Sequence, residues 1–115
     1  MDEANARNRR RSERVVLKMP VVVRIQTSIG KDTDERAHTM VVNAHGGLLR
    51  LGVELTRGQT FKLVNPKTHA EEACRVVRVE SRGAGDFAVA FEFCRPVPQF
   101  WPVVFPPADW ESVRV

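Results

Sequence analysis

No run of apolar residues in this 115-residue sequence approaches the length needed to cross a bilayer as a helix. The first residues are basic and polar with no apolar segment behind them, so no secretory signal is expected and the reading is a cytoplasmic protein. Cysteine is scarce. Cys74 and Cys94 are the two, and their separation is not that of a metal-ligand pair. In a reducing compartment both are expected as buried thiols that act as small hydrophobes. Helical periodicity is almost absent. Also missing are a Walker-type loop, a nucleophile elbow and a zincin helix, and His38, His45 and His69 form no recognisable ligand set. Glu71-Glu72 reads as a solvated charge pair rather than an acid–base dyad. The chain is therefore not expected to be an enzyme, and nothing calls for a cofactor or a metal.

What is present fits one soluble domain with one core: 43% hydrophobic and 28% charged residues. The net charge of +4 is unevenly placed. Residues 1–14 carry Arg7, Arg9, Arg10, Arg11 and Arg14 against Asp2, Glu3 and Glu13. They show no apolar periodicity and read as a mobile basic arm, followed by a folded domain over residues 15–115. Such an arm suits an anionic partner, or serves only as a solvated tail.

Beyond the arm, alternation of period two recurs. Val21, Val23 and Ile25 define one strand. Residues 30–35 are polar and read as a loop. His38 to Asn43 is a strand with Met40 and Val42 on one face and Thr39 and Val41 on the other. Gly46-Gly47 breaks it, and Leu48 to Leu51 resumes. Gly58 to Val64 and the valine- and arginine-rich Ala73 to Glu80 follow, the latter half-exposed. In the last strand Phe87, Val89, Phe91 and Phe93 share one face, expected in the core with Val23, Ile25, Phe61 and Leu63. Its opposite face is small (Ala88, Ala90), leaving room for another segment to lie close. Six strands joined by short turns predict an all-β fold, a small antiparallel six-stranded barrel, since closure removes exposed edges. The C-terminal segment is rich in proline (Pro96, Pro98, Pro102, Pro106, Pro107) and aromatics (Phe100, Trp101, Phe105, Trp110). It is expected to pack across the barrel as a lid, with Asp109 capping a last helical turn.

Two motifs carry chemistry. Arg10 and Arg14 form an R-x-x-x-R pair, and guanidinium groups fork onto phosphate, pair with the O6/N7 edge of guanine or stack on a purine. Asn43-Ala44-His45-Gly46-Gly47 is a polar turn between strands. An Asn offers both a donor and an acceptor to a guanine edge, an imidazole adds a contact, and glycines allow positive φ and close approach of a ligand. A ligand-free Gly-Gly hairpin accounts for the same five residues.

In order and spacing these motifs resemble the PilZ domain, a bacterial receptor fold for cyclic di-GMP, whose arginine motif precedes the first strand and whose D/N-x-S-x-x-G motif follows on a neighbouring strand. Leu48-Leu49, Leu55-x-x-Gly58-Gln59, residues 74–79 and residues 87–93 extend the resemblance from about Arg10 to Trp110. It implies that the arginines hold phosphate and guanine and that the turn holds the other guanine. Two registers relate the turn to the family motif. In one, Asn43 takes the D/N place, His45 replaces the serine and the turn is one residue short. In the other, Gly47 is the final glycine, and Val42 and Ala44 stand where the polar pair would be. The implied function is binding of cyclic di-GMP through Arg10, Arg14, Asn43, His45, Gly46 and Gly47, relayed to a protein partner as the arm orders. The alternative is an adaptor that has lost the ligand and works through protein contacts. Nucleic-acid binding is disfavoured, because the strand phenylalanines alternate into the core rather than form a stacking platform.

Overall fold

The computed structural model describes residues 14–26 and 30–103. Seven antiparallel strands run β1 (Val15–Val16), β2 (Pro20–Gln26), β3 (Asp32–Asn43), β4 (Gly46–Leu51), β5 (Thr60–Val64), β6 (Glu71–Gly83) and β7 (Asp86–Phe93). Their order is β3-β2-β5-β6-β7-β4, and β4 pairs back onto β3, so six strands close into a barrel. The seventh, β1, adds two residues beside β3. This is the closed six-stranded barrel that the alternation implied, with one extra strand, and it is consistent with the PilZ-like fold. No helix among the described residues is long and apolar enough to cross a membrane.

The core follows the strand phase. Val21, Val23, Leu49, Leu63, Val76 and Val89 are fully buried, with Phe61, Phe91 and Phe93 beside them. Phe87 and Ile25 are half-buried and pack against this cluster. The C-terminal segment closes one end. After Val97 a single 3-10 turn, Pro98–Phe100, brings Phe100 and Trp101 over the barrel. Trp101 stacks at a tilt on Phe93, at 5.8 Å between centroids, and its Nε1 donates to the Asn43 carbonyl at 2.9 Å. Phe105, Trp110 and the Asp109 cap lie outside the described residues, as do residues 1–13.

Several local readings are corrected. The polar run expected as a loop is strand from Asp32 onward: Glu35 pairs with Val23, Asp34 with Arg24 and Thr33 with Ile25. Asp34 faces out and is held there. Arg24 forks onto Asp34 at 2.9 and 3.1 Å and reaches Glu71 at 3.1 Å, which draws the Asp34 carboxyl below its usual range. Gly46 and Gly47 do not break a strand; they begin β4. Cys94 is exposed, not buried. It follows inward-facing Phe93 and so points outward. Cys74 is buried as expected, and desolvation pushes its thiol well above the usual range, so it stays neutral.

The expected faces of β3 are also wrong at one point. A bulge between Thr39 and Val41 inserts Met40, so Thr39 and Val42, rather than Met40 and Val42, both face inward. Thr39 is a fully buried hydroxyl with a clear task. It accepts the Met19 N–H at 3.0 Å and donates to the Leu17 carbonyl, bridging the break between β1 and β2. Leu17 N–H and Thr39 N–H complete the junction through Met40 and Met19 carbonyls, at 3.1 and 3.0 Å.

Two outcomes check this packing. Phe91→Ala removes the ring that touches Phe61, Phe93 and Trp101. It should lower the unfolding free energy in urea by about 3–5 kcal/mol. Thr39→Val keeps the shape but leaves the Met19 N–H without its acceptor. A loss of about 1–3 kcal/mol is expected in the same assay.

Candidate functional site

Backbone pairing brings the two sequence motifs together. Val15 pairs with Val42 and Val16 with Val41 in antiparallel register. Arg14, one residue before Val15, therefore stands across from Asn43, one residue after Val42. The two line a single open groove of about 310 Å³ on the outside of the barrel. His45, Gly46 and Gly47 line it from the hairpin. Val41, Leu48, Val77 and Ala90 supply apolar wall, and Arg78 and Glu92 close the far side. Five of the six nominated residues thus share one groove. Arg10 lies outside the described residues.

The turn itself is made by Asn43. Its side-chain Oδ1 accepts the His45 N–H at 2.8 Å and the Gly46 N–H at 2.9 Å, an Asx-type closure of the two-residue loop Ala44-His45. Neither loop residue takes positive φ, and neither do Gly46 and Gly47. The expectation that these glycines serve a left-handed turn is corrected: they are there for space. A Cβ on Gly46 would sit 2.1 Å from the Phe91 carbonyl oxygen, and one on Gly47 would sit 2.7 Å from that of Val41. The bare backbone of β4 is wedged between β3 and β7.

His45 is half-buried and fixed by its main chain, since its carbonyl accepts the Phe93 N–H at 2.8 Å. Its side chain borders the groove on one side and a smaller hollow with Cys94 and Arg95 on the other. Val42 is 0% exposed and belongs to the core, whereas Asn43 reaches the groove. The side chain open to the groove at this strand end is thus that of Asn43. Its Oδ1 is committed to the turn, which leaves Nδ2 as its donor.

Arg78 was not singled out in the sequence. Simple alternation from Val76 would turn it inward. A bulge between Val76 and Arg78 instead sends Val77 and Arg78 outward together. No spacing rule in the sequence marks such an insertion.

Several other arginines on the barrel wall are engaged. Arg50 forks onto Asp86, which holds that carboxyl below its usual range. Arg95 grips Glu72 at 3.0 Å, and Arg75 lies 3.5 Å from Glu92. Among the described residues no group of three His, Cys, Asp or Glu side chains is placed to hold a metal. The groove therefore offers an apolar wall with two guanidiniums, Arg14 and Arg78, against one carboxylate, Glu92, which Arg75 partly offsets, a net positive balance suited to an anion. No family model, curated protein or solved structure matches the chain.

The steric role of the hairpin glycines has a direct check. Gly46→Ala must displace the Phe91 backbone, not a flexible side chain. It should cost about 1–3 kcal/mol of stability, the range for overpacking, and broaden the amide signals of residues 43–47 and 91–93 in NMR spectra.

Proposed function

We propose that this chain is a PilZ-like signalling module of the cytoplasm that works by binding rather than catalysis. Its ligand is cyclic di-GMP, taken up in the groove between Arg14 and the Asn43–Gly47 hairpin. The reading rests on one observation above the others: β1–β3 pairing puts Arg14 and Asn43, far apart in sequence, opposite each other on a groove with an apolar wall. Arg14 supplies a permanent charge for a phosphate or the O6/N7 edge of guanine. Arg10 adds the second charge as the arm closes, and the ordered arm presents a new surface to a protein partner.

A second reading is favoured by a different observation. Asn43 Oδ1 already satisfies two backbone N–H groups, and Val16 and Val77 expose apolar surface, Val16 at 84% and Val77 at 42%. An adaptor that needs no nucleotide and docks a protein here uses the same face.

Calorimetric titration with cyclic di-GMP, with GTP and cyclic GMP as controls, separates the two. Saturable binding of the dinucleotide is expected, with Arg14→Ala reducing affinity about ten- to a hundredfold, the effect of one lost charge-assisted hydrogen bond. Absence of binding by the unaltered chain would move the assignment to the adaptor.

A further inference from the structure

The wall of the groove is more ordered than a chance apolar lining. Val16 pairs with Val41, Val41 with Leu48, and Leu48 with Ala90. Ala90 pairs in turn with Arg78, beside the bulge residue Val77. One cross-strand row therefore runs over β1, β3, β4, β7 and β6. Its members are outward-facing, since their neighbours Val42, Leu49, Val89 and Val76 are the fully buried ones. The row is apolar from Val16 to Ala90 and ends on the cation Arg78, while Arg14 stands two residues from Val16 on the same face, in the next row opposite Asn43.

Two features taken together set Arg78 apart. Like Arg14, Arg36 and Arg57 it has no carboxylate partner among the described residues, while Arg24, Arg50, Arg75, Arg82 and Arg95 each have one, and of the first group only Arg14 and Arg78 line the groove. The bulge is also what aims it. A regular β6 would carry position 78 to the inner face, and the insertion of Val77 turns it to the groove instead. An unpaired guanidinium held over apolar surface by a backbone irregularity is placed to meet an anion from outside.

We infer that Arg78 is a further binding residue of this groove, which grips a two-ended anionic ligand: one phosphate or guanine edge at Arg14, another at Arg78, and a flat ring between them on Val41, Leu48 and Ala90. This deepens the proposed binding of cyclic di-GMP, and it rests on that reading for the identity of the ligand but not for the class. Cyclic di-GMP has two phosphates and two purines; GTP has an anionic tail and one purine.

The test uses the full chain and the variants Arg78→Gln, Arg78→Lys and Arg57→Gln. Arg57 is equally unpaired among the described residues but does not line the groove, so it controls for loss of one charge. Titrations with cyclic di-GMP, GTP and sodium pyrophosphate are followed by calorimetry and by the amide signals of Val77, Arg78 and Ala90. The expected result is a loss of at least about tenfold in cyclic di-GMP affinity for Arg78→Gln, partial recovery with lysine and little change for Arg57→Gln. Binding of cyclic di-GMP that is equal in Arg78→Gln and the unaltered chain overturns the role of Arg78 and leaves the receptor reading standing. Binding of GTP or pyrophosphate at Arg78 without binding of cyclic di-GMP keeps the Arg78 subsite and overturns the ligand. No shift at residues 77–90 with any of the three ligands overturns both.

Discussion

Closure of the barrel depends on how near β4 can come to its two neighbours. Pairing on both edges makes β4 the strand that joins β3 to β7, and its first residues have no room for a side chain. With Gly46 and Gly47 in place, the strand seats against the Phe91 carbonyl and the Val41 carbonyl. The hairpin then bends away at Ala44-His45, and the groove opens on the outer side of the seam. The same contact fixes the aromatic end of the core, because Phe91 contributes its carbonyl to the seam and its ring to the cluster with Phe61, Phe93 and Trp101. Trp101 returns the constraint to the hairpin by donating to Asn43. Core, lid and candidate site are therefore one mechanical unit.

Two bulges shape what that unit presents to solvent. At Met40 the insertion lets Thr39 turn inward to bridge the break between β1 and β2 while Val41 still faces the groove. At Val77 the insertion sends Arg78 to the groove. Each bulge shifts the strand phase by one residue, and each lies in a strand bordering the groove. A closed barrel of this size gains local twist at such points, and the two insertions re-aim Thr39 into the core and Arg78 onto the groove.

The parts of the fold legible in the sequence were those where alternation runs unbroken. Residues 86–93 show it cleanly, and the core around Phe91 followed from it. The faces of residues 38–43 were misread because a bulge changes phase without changing composition. The strand start at Asp32 was missed because its charges satisfy one another across strands rather than water alone, as Arg24 with Asp34 and Glu71 shows. For the site, motif order named Arg14 and Asn43 as candidates, and only the Val15–Val42 pairing shows that they line one groove. Arg78 carried no spacing signal at all.

Asn43 sets which hydrogen-bonding groups the hairpin presents to the groove. Pairing with the Watson–Crick edge needs an acceptor for the N1 and N2 hydrogens, and the Asn43 Oδ1 is taken by two N–H groups of its own turn. Glu92 is the carboxylate on the groove, and Arg75 stands beside it. Of the remaining groups, Arg14, Arg78 and Asn43 Nδ2 are donors, and the His45 imidazole can donate or accept. Donors match O6, N7 and phosphate oxygens. For the ligand proposed above, these donors suit the O6/N7 edge of a guanine whose ring lies on the apolar row. Freeing Oδ1 for the ligand would first require the turn to find another acceptor for the His45 and Gly46 amides. The hairpin is built against that exchange, because the bare glycine that follows it is already locked to β7.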